Sequence, residues 1–320
     1  MSRYLFKRLA ISVLIFFALT FFVFALSSLA PGSPVDSYVT PQSTPEDIAH
    51  MEEYLGLNDP IPVQYGKWLG RMLAGDLGNS YRAKMPVQGL IAEALGPTAI
   101  LTSAALLTAL LAAVPLGVLS AVKPYSIWDR AASVMAYVGA AVPRFFIGLI
   151  VVFLFAVQLK ILPATGLYSA AGDGNLADRA QHLVLPVFVV GFGIFGVFVR
   201  QMRSSMLEVW NEEYVKLARA KGLSEWRVIL GFVLRNALIP IVTTVGLAIP
   251  ALLSGTVVAE QLFALPGIGK LLLQAVTGRD YPVVMGVAMF LSIVVLVVNL
   301  LLDIIYGLLD PRIRLAKSKA

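Results

Sequence analysis

Six stretches of roughly twenty residues run almost without charge along this chain: 9–30, 98–122, 131–159, 183–199, 236–259 and 281–302, broken only by Arg144 in the third. A helix of about 20 apolar residues is long enough to cross the ~30 Å hydrocarbon layer of a bilayer. The expected fold is therefore an all-α polytopic membrane protein with six transmembrane helices. Composition agrees: 14% of residues are charged, against about 25% in a soluble domain. The first stretch begins after basic residues, as a signal peptide does. It outruns the usual signal-peptide apolar core of about 7–15 residues, so a retained helix is expected.

Six crossings put both termini on one side, and the basic residues say which. Of the 25 Lys and Arg, sixteen fall in the termini and in the segments after stretches two and four. Eight fall in the segments of the opposite face, which include the long first loop, and the last is Arg144. Basic residues concentrate on the cytoplasmic side, so both termini are expected to be cytoplasmic. The same bias accounts for the net charge of +6 without nucleic acid. The chain has no cysteine and two histidines, His50 and His182. With no thiol and so few imidazoles, neither a metal site nor a catalytic residue is assigned, and the chain is not expected to be an enzyme by itself.

Four parts follow: an N-terminal helix (1–30), an extracytoplasmic segment (31–97), a five-helix core (98–310) carrying a cytoplasmic loop (205–235), and a tail (311–320). In the outer segment, Thr44-Pro45-Glu46-Asp47 reads as a helix start, with a hydroxyl cap, proline in the first turn and acids behind it. Gly56 is expected to stop that helix. Tyr65, Trp68, Leu69, Met72 and Leu73 form an apolar stripe at helical spacing, for a membrane interface or for packing within the segment. Prolines at 115, 143, 186, 240 and 250 imply kinked or broken spans.

Gly191-Phe192-Gly193-Ile194-Phe195-Gly196 matches GxGxxG but lies inside a span. Glycines that let helices approach closely explain it better than a nucleotide loop. Residues 213–240 are more informative. A helix should end at Gly222, and a second should begin with Ser224 as cap and Glu225 in its first turn. Such a small-residue, basic helical turn on the cytoplasmic face suits either a groove on another protein or a headgroup surface.

The residues also resemble a family. Ala218-Arg219-Ala220-Lys221-Gly222-Leu223, followed by Arg235-Asn236-Ala237-Leu238-Ile239-Pro240, is similar to the coupling loop of inner-membrane permeases of ABC importers for dipeptides, oligopeptides and nickel. Further matches follow in order: Leu55-Gly56-Leu57, Gly75-Asp76-Leu77-Gly78, Pro115-Leu116-Gly117, Arg203 to Glu208, Arg279-Asp280-Tyr281-Pro282 and Asp310-Pro311-Arg312-Ile313-Arg314. Lys216, Leu217 and Arg235 depart from the broad importer pattern in the manner of the first peptide-permease type. Arg144 departs too, standing where a small or polar residue is expected.

The resemblance implies a type I importer permease in a bacterial or archaeal plasma (inner) membrane. It implies a second homologous permease, two cytoplasmic ATPases that bind all the ATP and Mg, and an extracytoplasmic solute-binding protein meeting residues 31–96 and 261–280. No cofactor is implied for this chain, and its remaining contact is membrane lipid. Ala218, Arg219, Ala220, Lys221, Gly222 and Leu223 would be the ATPase contact. Arg144, counted about 20 Å along the third span from Ala131, and Glu260 are the candidates for the translocation pathway. Arg144 could instead sit in an interhelical ion pair or at a shifted helix boundary, and Glu260 could act as a gate or fix a loop. The same motifs serve importers of nickel chelates, glutathione and other small solutes. An ion-coupled secondary transporter would want acids in mid-span, whereas Glu260 and Asp303 lie near span ends.

Overall fold

The computed structural model describes residues 2–29, 35, 43–169 and 175–309. The Asp310–Arg314 motif, the tail and the Asp303 side chain lie outside what is described. The helices are α1 (Ser2–Leu29), α2 (Pro45–Leu55), α3 (Ile61–Leu73), α4 (Val87–Val122), α5 (Ile127–Ala141), α6 (Arg144–Val151), α7 (Leu176–Trp210), α8 (Glu213–Ala220), α9 (Glu225–Val228), α10 (Arg235–Leu262), α11 (Ile268–Thr277) and α12 (Tyr281–Leu309). Two π-helical segments, Val152–Gln158 and Ile229–Leu234, continue α6 and join α9 to α10. Among the described residues five helices are long and apolar enough to cross a membrane, six if α5 and α6 form one broken span.

The break falls where Pro143 implies a kinked or broken span, and it corrects the depth counted for Arg144 along one helix from Ala131. The axis turns by 110° between α5 and α6. Val142 precedes a proline and is extended (φ −86°, ψ 127°), because the proline ring disfavours helical geometry in the residue before it. Pro143 cannot donate a backbone hydrogen bond, and Arg144 opens a new helix. Its depth therefore cannot be counted from Ala131.

The chain forms two compact units. One comprises the described parts of Met1–Gly96 and Pro266–Leu300. Here α2 begins as its sequence implies: the Thr44 hydroxyl accepts from Asp47 N, the Asp47 carboxylate accepts from Thr44 N, and Gly56 (φ 69°) ends the helix. Of the stripe on α3, Tyr65 and Trp68 pack on α1, while Leu73 is left exposed. Tyr65 Oη lies 2.9 Å from Thr20 Oγ1, and the Tyr65 ring meets Phe21 and Phe24 edge-on. Away from that contact α1 leaves its apolar surface open, with Leu14 70% and Phe22 64% exposed, as a helix bathed in lipid does. Asp280 is buried and accepts from Ser80 Oγ, Tyr81 N and Arg82 N, so one carboxylate pins the turn before α4 to the start of α12.

The other unit comprises Pro97–Leu265 with the described part of Leu301–Ala320. Its core brings Leu101, Ala105 and Ala109 of α4 against Val189, Val190 and Phe198 of α7 and Leu252 and Ala259 of α10. The GxGxxG glycines work as close-approach points. A Cβ at Gly191 would stand 3.1 Å from the Ala105 carbonyl oxygen, and one at Gly196 would stand 2.7 Å from Ala136 Cα. The fourth charge-free stretch proves to be only the middle of α7, whose ends carry Asp178 and Arg179 at one side and Arg200 and Arg203 at the other. Asn175 caps it by accepting from Asp178 N.

Candidate functional site

Between α7 and α10 the chain folds a small helical hairpin from α8 and α9. Its inward face is apolar: Val215 and Ala218 are buried with Met202 and Met206 of α7, with Val228 of α9, and with Val233 and Ala237 further on. Gly222 reverses the chain at φ 79°, a conformation in which a Cβ is unfavourable. Lys221 N and Gly222 N donate to the Leu217 and Arg219 carbonyls, closing α8. Arg219 braces the turn, with Nε 3.0 Å from Glu225 Oε1 and its guanidinium 4.6 Å from the Trp210 ring centre. Ser224 occupies the cap position of α9, but its hydroxyl makes no cap hydrogen bond.

The six residues expected to touch an ATPase thus divide. Ala218 faces inward and seats the hairpin. Arg219 is engaged within the hairpin itself, and Leu223 is half-buried against the same core. Ala220, Lys221 and Gly222 are exposed, joined by Lys216, Leu217, Trp226 (70% exposed) and Arg227. The outer face is therefore a small-residue tip ringed by cations and by large apolar side chains. Burial, and then the nearby Glu212, push the Tyr214 phenol above its ordinary value, against a hydrogen bond from Asn236. It remains a neutral hydroxyl at physiological pH.

The two pathway candidates sit differently. Glu260 is fully buried near the end of α10, where it accepts from Thr98 Oγ1 at 2.7 Å. Its backbone carbonyl accepts from Leu265 N, and the neighbouring Phe263 carbonyl accepts from Gly166 N. Glu260 thereby ties α4 to α10 beside a loop junction. Arg144 is half-buried and lies against Gly193 of α7, where a Cβ would stand 2.6 Å from its Nε. Among the described residues no ion pair joins Arg144 to Glu260 or to any other carboxylate.

One charged pair escaped the sequence reading. Asp129 is buried and receives Arg203 Nε and Nη2 at 2.8 and 3.2 Å, with Tyr125 N at 2.9 Å. The pair fastens the first turn of α5 to the end of α7, just before the hairpin. The spacing of Ser126 and Asp129, a capping pattern, was the available signal; the partner 74 residues away was not.

The chain matches, over residues 113–315, the family described as the binding-protein-dependent transport system inner membrane component. The N-terminal part of such membrane components matches residues 1–102. The chain belongs to this family of importer permeases. The permease is 41% identical over 317 residues to a peptide permease protein of Brucella suis biovar 1, covering 98% of this chain and 99% of that one. It is 40% identical over 314 residues to the oligopeptide transport system permease protein AppB of Bacillus subtilis, with the same coverage. The dipeptide transport system permease protein DppB of Escherichia coli K12 is 35% identical over 336 residues, again with 98% and 99% covered. Among solved structures, a chain of the MetNI methionine ABC transporter in an inward-facing conformation superposes with a TM-score of 0.57 at 18% identity. The match covers 70% of the permease and 97% of that chain, which establishes a shared fold. The permease is accordingly an inner-membrane protein of ABC-importer fold.

Proposed function

We propose that this permease forms half of the translocation pathway of an ATP-driven importer of di- or oligopeptides, the other half being a second, homologous permease. The peptide cargo is supported by the names of relatives that match nearly end to end. In this reading two cytoplasmic ATPases bind ATP and Mg, and an extracytoplasmic solute-binding protein delivers the peptide to residues 31–96 and 261–280. The termini and the hairpin face the cytoplasm.

The observation that carries the reading is the hairpin. Its tip, Ala220 to Gly222, stands clear of the chain, while Val215 and Ala218 anchor it in the core shared with α7 and α10. A push on the tip is thereby delivered to the helices that pack the core, which is what a two-state transporter driven from outside requires.

Because the chain has no cysteine, an Ala220→Cys variant carries a single thiol. It should react with a membrane-impermeant maleimide in inverted vesicles and not in intact cells. In the assembled importer it should crosslink to an ATPase subunit. Labelling from outside, or a complete importer in which only lipid is captured, would overturn the reading.

A further inference from the structure

We infer that Arg144 is the residue that receives the C-terminal carboxylate of the peptide in transit, an inference that rests on the peptide-importer reading above. Three observations converge on it. The first is depth. The side chain of Arg144 lies on Gly193, with Nε, Cζ and Cδ all within 3.3 Å of where a Cβ would be. Gly193 is 14 residues from Arg179 and 7 from Arg200, the charges that bound the apolar part of α7. At 1.5 Å per residue these separations are about 21 and about 10 Å, so the guanidinium sits at hydrocarbon depth.

The second observation is the missing counter-charge. An arginine at that depth faces the helix bundle or a water-filled cavity and pairs with another charge or with backbone carbonyls. Among the described residues the Arg144 side chain makes neither hydrogen bond nor ion pair, although the other core-facing charges are engaged: Asp129 with Arg203, and Glu260 with Thr98. The third is the backbone. Arg144 stands at a span broken by 110°, and such breaks persist at membrane depth where they are packed in protein or line a cavity. Arg144 is half-buried, so part of its side chain stays open beside the break.

The chemistry then selects the ligand. A guanidinium presents a planar fork that matches a carboxylate in two parallel hydrogen bonds. Every unmodified peptide ends in one, whatever its side chains. A single cation at the pathway can therefore recognise peptides without reading their sequence. Gly193 contributes by leaving room for the guanidinium against α7, since a methyl there would meet the movable end of the arginine side chain.

The test uses the whole importer in proteoliposomes with its binding protein. Uptake of one peptide is compared as free acid and as C-terminal amide, each normalised to the amount the binding protein holds. The wild type should prefer the free acid. Arg144→Gln should reduce that preference by about tenfold or more, the effect of losing a charged bidentate pair. Arg144→Lys should retain part of it. Gly193→Ala, which keeps the charge but displaces it, should fall between. Assembly is checked by ATP hydrolysis stimulated by the binding protein, and if Arg144→Gln fails to assemble, the other two variants carry the comparison. An unchanged preference, or equal loss for both peptides, would overturn the inference, the latter pointing to an ion pair with the second permease. If the wild type takes up neither peptide, the peptide-importer reading falls and this inference with it.

Discussion

Gly222 allows the partner-facing role of the hairpin to be separated from its stability. The residue sits at φ 79°, and a Cβ built there meets nothing within 4 Å. Any L residue placed at 222 therefore incurs the left-handed backbone penalty, about 1–2 kcal/mol, while its Cβ meets no steric penalty from the chain itself. Alanine and tryptophan should weaken the isolated permease equally, whereas only tryptophan adds a large side chain to the tip. If that tip enters a close-packed cleft, forcing bulk into it costs a further ~1–3 kcal/mol. Gly222→Trp should then lie about tenfold or more below Gly222→Ala in coupled uptake, since 1.4 kcal/mol is a factor of ten. Thermal unfolding of the two variants should coincide, and both should insert in the membrane. The assay is uptake by the reconstituted importer beside unfolding in detergent. Equal transport by the two variants would show that the tip meets no close partner, and the coupling role would be lost.

Three further outcomes are expected. Gly196→Ala places a methyl 2.7 Å from Ala136 Cα, a backbone atom that cannot step aside, and should destabilise the α5–α7 packing by about 1–3 kcal/mol, read from thermal unfolding. Asp280→Ala removes the acceptor of the buried Ser80 hydroxyl, at about 1–3 kcal/mol, and also the bonds that the more exposed Tyr81 and Arg82 amides make to it. Amide exchange at 81 and 82 should accelerate while the hairpin is unaffected. Hydrogen bonds from Thr44, first from its backbone N–H and then from its hydroxyl, hold the Asp47 carboxyl below its ordinary 3.8. A depressed carboxylate stabilises above the unfolded value and stops doing so as pH falls through the folded one. The first turn of α2 should thus keep its exchange protection at neutral pH and fray only in acid below the ordinary carboxylate value, and Asp47→Asn, which cannot ionise, should remove that pH dependence.

Much of this could be seen before any coordinates because it depends on neighbours close in the chain. Charge-free stretches mark the spans, since every residue in lipid faces the same solvent. Thr44, Pro45, Asp47 and Gly56 bound α2 through contacts spanning a few residues, and Gly191 to Gly196 announce close packing because glycine has no side chain to hold helices apart. The family motifs around Gly222 are legible for the same reason.

Other features required the assembled chain. Pro143 warned of a break, but whether the helix kinks or turns by 110° depends on what packs around it. Ala218 and Ala220 look alike in sequence; only contact with α7 and α10 buries the first and leaves the second at the tip. Arg203 finds Asp129 across 74 residues, Glu260 finds Thr98 across 162, and Arg144 meets a glycine instead of an acid. Hydropathy and capping are settled within a turn or two of helix. The partner of a buried charge is chosen by whichever distant helix arrives beside it, and no local pattern encodes that arrival.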